Sequence, residues 1–459
     1  MIVSNGAVLN VTGLSVGNAN NSTDCSFELN GGTVNLLGWA GDVVYLHESG
    51  NTVNSYSLTV NSGTLNVPDS GSRVDIGYKG GATFTVNDGT VNLNRAGFGA
   101  VGGTMTSSSA LGGVDMYSTL TINGGSLNIS NQLELCSDST ANAGVYRHNT
   151  ITLNGGTLRT VAANITTPAA APNVVFNLNG GSVVALGAGG YGGTLANFFA
   201  GAGTVNVANT NTLDCGAYNL TITNALVGGA ADLIKTGSGS LTLNGVNTYT
   251  GSTVVSNGTL AGSGSLAGPV ALRSGTKLAP GGASIGVLTV GNDLTLSAGA
   301  SASFRINTTN AVATNDYLVV TGTQSISSST LTVTNLGPAL NVGDTFKLLS
   351  NTGSAAGFTT LNLPADYTWT NKLAIDGTIQ VLTVPTTTPN PTNITYSVSG
   401  SQLVLNWPAG QGWRLQVQTN GLTTGLTTNW SAVTPTPVPP LTNTVDPEIP
   451  TVFYRLVYP

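Results

Sequence analysis

Charge is what this sequence has least of. Asp, Glu, Lys and Arg together make up 7% of its 459 residues, and His occurs only 2 times, where about 25% charged residues is usual. Between Arg159 and Asp214 there is no ionisable Asp, Glu, Lys, Arg or His at all. Acid–base or calcium-assisted cleavage needs such groups held close together, so the census speaks against an enzyme. The net charge of −6 is dispersed. It forms no basic groove for nucleic acid and no polybasic surface for anionic lipid. Cysteine is also scarce. Cys25, Cys136 and Cys215 lie far apart with no CxxC or Cys–His cluster, which excludes an obvious zinc site and fits small buried side chains. No apolar run is long enough to cross a membrane, and no stretch has the pattern of a useful amphipathic helix. No glycine-rich stretch leads into a helix as phosphate binding requires. The expectation is therefore no catalytic residue, no cofactor and no metal. A secretory leader is not visible either, because Met1 leads straight into IVSNGAVLNVTG.

Hydrophobicity is not lacking. Some 40% of residues are hydrophobic, so disorder, which needs low hydrophobicity, is not the reading. The apolar residues alternate within a recurring phrase: FELNGGTVNL from Phe27, LTVNSGTLNV from Leu58, FTVNDGTVNL from Phe84, LTINGGSLNI from Leu120, ITLNGGTLRT from Ile151 and FNLNGGSVVA from Phe176. Alternation with period two places Leu, Val, Ile and Phe on one strand face and Thr, Asn and Ser on the other. Asn and Gly tolerate the positive φ of a tight corner. One such unit cannot bury its apolar face alone, whereas stacked copies can. The expected fold is all-β: a right-handed parallel β-helix, or solenoid, followed by a small antiparallel β-sandwich. An antiparallel meander is the competing reading, since Asn-Gly between alternating strands also signals a hairpin.

The chain divides by pattern. Residues 1–232 carry the repeats, with projecting loops expected at Gly97 to Gly113 and Ala162 to Asn173. Residues 385–392, PTTTPNPT, read as a stiff linker. Residues 393–459 hold Trp407, Trp413 and Trp430 and short strands such as Gln402 to Trp407, Arg414 to Gln418 and Val452 to Val457, fitting a sandwich with its own aromatic core. Between them, Leu233-Ile234-Lys235-Thr236-Gly237, Gly239-Ser240-Leu241-Thr242-Leu243, Asn247-Thr248-Tyr249-Thr250-Gly251 and Asn257-Gly258-Thr259-Leu260 resemble the autotransporter-associated β-strand repeat of bacterial passenger regions. The repeat occupies 233–285. Residues 286–384, with Asp316-Tyr317-Leu318, Gly343-Asp344-Thr345-Phe346, Trp369 and Asp376-Gly377-Thr378-Ile379, resemble the segment that closes such coils. The last domain is similar to small terminal β-domains of exported proteins in Verrucomicrobia- and Planctomycetes-like bacteria. It is too short for an outer-membrane barrel. The resemblance implies an exported, extracellular or cell-surface protein.

Polar patches are thin. Asp69, Arg73, Asp75 and Lys79 read as a solvent-side ion pair with neighbours; Asp42, His47 and Glu48, and Glu134, Asp138 and His148, are scattered; and the spacing around Asp24 matches no calcium loop. Tyr249 reads as packing beside its corner. The functional expectation is a structural subunit of a surface fibre, appendage or layer. Its partner would be a second copy of the chain or another surface component, through the first coil (Ile2, Val3, Val8, Leu9) and the terminal strand (Val452, Phe453, Tyr454, Leu456, Tyr458). An adhesin holding a polysaccharide through Trp413 and Trp430 is the alternative. A polysaccharide lyase or hydrolase is a third. No nucleic acid and no transmembrane segment are expected.

Overall fold

A computed structural model describes residues 1–16, 25–37, 42–46, 55–67, 73–76, 81–98, 116–135, 147–165, 173–187, 197–199, 203–308, 314–350, 355–384, 393–409, 413–421, 423–446 and 451–457. The chain forms two compact units, Met1–Val384 and Pro385–Pro459.

The first unit is a parallel β-helix. Each repeat phrase supplies two consecutive strand segments that turn at the Asn- and Gly-containing corner, and each segment pairs in parallel with its counterpart one coil later. Strand Ser55–Val67 pairs through its first half with Gly81–Val86 and through its second half with Thr90–Phe98. Those pair in turn with Met116–Ile122 and Ser126–Leu135. All of these ladders run parallel, which overturns the meander. Like stacks on like: Phe27, Leu58, Phe84, Leu120, Ile151, Phe176 and Val205 form one in-register file through the interior, each no more than 2% exposed. A buried side chain of this kind contributes roughly 1.5–3 kcal/mol.

The corner glycine explains why the phrase repeats so closely. Gly125 has φ +64°, and a Cβ there would lie 2.3 Å from the carbonyl oxygen of Gly89 in the coil before it. Only glycine satisfies both the left-handed backbone and the coil-to-coil contact.

The third face of the coil was less legible. Gly97 and Phe98 belong to a strand rather than to the expected loop, and strand Ala163–Ile165, pairing with Leu133–Leu135, interrupts the loop expected from Ala162 to Asn173. Short third-face strands lack the alternating phrase, so periodicity gave no signal.

The coil continues without a break through residue 233: strand Asn211–Asp214 pairs with Leu233–Thr236, and that with Thr253–Val255. A second parallel series runs from Leu220–Ile222 through Ser240–Leu243, Thr259–Gly262, Lys277–Pro280, Ser301–Asn307 and Ser329–Asn335 to Phe358–Asn362. Beyond it the parallel pattern gives way to an antiparallel sheet of Thr345–Lys347, Thr378–Thr383 and Thr368–Lys372. Phe346, Leu348, Leu373, Ile379 and Val381 of this segment join the core of the coil.

The second unit has two three-stranded antiparallel sheets. One contains Thr395–Ser399, Gln402–Asn406 and Leu441–Thr444; the other Ser431–Ala432, Arg414–Thr419 and Val452–Val457. Leu405, Trp407 and Leu415 form its buried centre.

Candidate functional site

The outward face of the coil is built from side-chain files. The corner asparagines form a continuous hydrogen-bonded file. Asn61 Nδ2 donates to Asn30 Oδ1 at 2.6 Å, Asn87 to Asn61 at 2.7 Å, Asn123 to Asn87 at 2.7 Å, Asn154 to Asn123 at 2.8 Å, and Asn179 to Asn154 at 3.0 Å. Asn209 adds one more step to Asn179 at 2.7 Å. The repeated phrase ends at Asn179, since no glycine follows Asn209. Asn209 adopts φ +55° itself, and the buried Asn211 accepts from the Gly180 amide and donates to the Ala208 carbonyl. A second file on the next face joins Asn10, Asn35, Asn66, Asn92 and Asn128 at 2.7–2.8 Å.

Beside the corner file run hydroxyls. Ser57, Thr83, Thr119 and Thr150 share one register position, and Thr59, Thr85, Thr121 and Thr152 another. Thr83 is exposed and the others are half-exposed, while the alternate residues Leu58, Phe84, Leu120 and Ile151 point into the core. Tyr117 and His148 precede two of these rows and stack on each other, with centroids 4.5 Å apart and planes 8° apart.

Several side chains act inside the coil. Lys235, fully buried, donates from Nζ to the carbonyls of Thr236 at 2.7 Å and Gly237 at 2.8 Å. Burial pushes its ammonium below the usual lysine range and pushes the neighbouring Cys215 thiol up. Asn247, 1% exposed, bridges three coils: it accepts from the Leu226 amide and donates to the carbonyls of Gly245 and Ser265. Asp316 receives Arg305 twice, Nε at 2.7 Å and Nη2 at 3.0 Å, together with the backbone amides of Arg305 and Gly286. Sequence reading noted Asp316 and Asn247 through their motifs but did not identify Arg305 or the burial of Lys235. The signal for Lys235 was its inward phase, two residues after the buried Leu233.

The expected assembly residues fall as follows. Ile2 and Val8 are 62% and 65% exposed, Val3 is buried and Leu9 half-buried. Strands Ile2–Ser4 and Val8–Val11 pair on one side, with Cys25–Leu36. Strand Val452–Val457 lies at the edge of its sheet. Within it Val452 is exposed, Phe453 half-buried, and Tyr454 and Leu456 pack on the domain's own core. Tyr454 Oη also accepts from Asn443 Nδ2 at 2.7 Å. Tyr458 lies outside the described residues. Trp413 packs against the same core, and the Arg455 guanidinium sits 4.3 Å over the ring of Trp430.

Of the polar patches, Arg73 and Asp75 share strand Arg73–Ile76, where Arg73 is in register with Asp42 and Asp75 with Tyr45. The side chains of Asp42, Arg73, Asp75 and Glu134, and all of Asp24, His47, Glu48, Asp69, Lys79, Cys136 and Asp138, lie outside the described set. Tyr249 is fully buried and shares a 2.6 Å hydrogen bond with Thr253. Among the described residues, no group of three or more His, Cys, Asp or Glu is placed to hold a metal ion, and no helix is long and apolar enough to cross a membrane.

The ladders define a parallel β-solenoid, followed in sequence by a small antiparallel β-domain. Residues 233–261 match the passenger-associated-transport-repeat family, in agreement with the resemblance of this segment to the autotransporter-associated β-strand repeat. The match covers the coil from Leu233 to Ala261, which contains Lys235 and Asn247. No curated protein matches the chain.

Proposed function

We propose that this chain is an exported, non-catalytic structural protein of a bacterial cell surface, a subunit of a fibre, appendage or layer that assembles head to tail. The observation that carries the reading is the investment of the outward face in coil-to-coil bonding. The carboxamides from Asn30 to Asn209 are engaged in one axial file, an arrangement that stiffens a stack. The passenger repeat supports export. An edge supports assembly: among the described residues, strand Val452–Val457 pairs on one side only. Such edges accept a further strand from another chain. Electron microscopy of the purified protein at rising concentration tests this. Filaments or sheets with a regular repeat are expected; monodisperse monomers at every concentration would refute it.

A surface adhesin is the second reading, favoured by the hydroxyl rows. Saturable binding on a glycan array, lost in Trp430→Ala, would establish it in place of the first.

A further inference from the structure

The hydroxyl files beside the asparagine corner form a grid whose geometry is fixed by register alone. Ser57–Thr59, Thr83–Thr85, Thr119–Thr121 and Thr150–Thr152 are successive rows, and no register shift interrupts the pairing between them. Rows are therefore spaced by about 4.8 Å along the coil axis, and the two hydroxyls within a row by about 6.6 Å, twice the rise per residue. Seven of the eight positions are threonine. A β-branched side chain has few χ1 rotamers on a strand, so hydroxyl and methyl are held in place before anything binds, and little side-chain entropy remains to be lost. Among the described residues, only Thr152 of these eight takes part in a side-chain hydrogen bond, as acceptor from Asn177 at 3.1 Å. The other hydroxyls are open to an outside partner.

We propose that this grid is an ice-binding face, on which hydroxyls and methyls order a layer of water that joins the surface of a growing crystal. Three features select this occupant. The grid repeats in two directions at once, as a crystal surface does and a single flexible chain does not. Its eight positions carry no charged side chain, with Glu28 in register one coil before Thr59 at the edge, and so complement a neutral lattice. It contains no aromatic platform for a sugar ring: Tyr117 and His148 lie at its margin, stacked on each other. The inference does not depend on assembly, since a monomer presents the same grid.

The test uses the full chain, fluorescently labelled, in slowly grown ice, with freezing hysteresis measured in parallel. The wild type is expected to enter the ice and to shape its crystals. Thr85→Lys/Thr121→Lys should be excluded like a non-binding control protein. Thr295→Lys, at an exposed outward position of strand Leu294–Leu296 remote from the grid, should bind as the wild type does. Circular dichroism checks that each variant melts as the wild type does. If the double lysine variant does not fold, Thr121→Tyr, which keeps strand propensity, takes its place with the same expectation. Exclusion of the wild type from ice, ice binding undiminished in the grid variants, or retention on crystalline glycan without ice binding would each overturn the proposal.

Discussion

At the scale of single residues, the stack is a set of files, and a file is most informative where it ends. Asn128 donates to Asn92, but its own Oδ1 is buried without a partner because the next register position is Arg159. Arg159 is exposed. Arg159→Asn should place a donor under Asn128 and raise stability by about 1 kcal/mol, seen as a higher denaturant midpoint. An unchanged or lower midpoint would mean that a file contributes nothing by its continuity. Tyr249 offers a test by pH. Burial holds its phenol above the ordinary range, against the opposing effect of its bond to Thr253. A raised folded-state pKa means that the associated stability is whole below the unfolded value, about 10, and falls as pH rises beyond it, by about 1.4 kcal/mol per unit. Comparing unfolding of wild type and Tyr249→Phe from pH 9 to 11 isolates this group from every other ionisable side chain. The wild type should lose stability more steeply than the variant; parallel declines would contradict the assignment.

At the scale of elements, local and repeated features were legible in the sequence, and paired ones were not. Strand, corner and strand could be read from FTVNDGTVNL because alternation and Asn-Gly are both local. The spacing of the phrase also appears directly as ladder offsets of 31, 26, 36, 31 and 25 residues. Asn209 escaped because an asparagine took over the backbone role of glycine. Arg305 escaped because its partner lies across an antiparallel excursion in which Ile306 and Asn307 pair with Asn315 and Thr314. The hydroxyl grid was visible as polar rows but not as a lattice, because register is a property of pairing rather than of composition. The Arg305–Asp316 pair makes a direct prediction. Asp316 is 1% exposed at its side chain and Arg305 20%. Asp316→Ala leaves two backbone amides unpaired and a partly buried guanidinium without its counter-charge, held only by the Ser284 and Pro280 carbonyls, and should cost roughly 3–5 kcal/mol. Arg305→Met/Asp316→Ala, which removes the stranded charge, should cost less than the single change. Equal costs in urea unfolding would show that the carboxylate acts on the backbone amides alone.

At the scale of the molecule, one hydrophobic core runs from Val3 to Val381 and a separate one serves the terminal domain. A coil in which each turn contacts its neighbours draws its stability from repeated interfaces rather than from one centre. The same repetition builds the axial files and the hydroxyl grid. The central claim is that consecutive phrases lie one coil apart and parallel. Thr59 and Asn206 occupy one register file, separated by Thr85, Thr121, Thr152 and Asn177. With Cys25, Cys136 and Cys215 replaced by Ala, spin labels at positions 59 and 206 measure that spacing by pulsed dipolar spectroscopy. Five coil steps predict a separation of about 24 Å. An antiparallel arrangement, in which every phrase adds two strands to a sheet, would double it to about 48 Å and contradict the account.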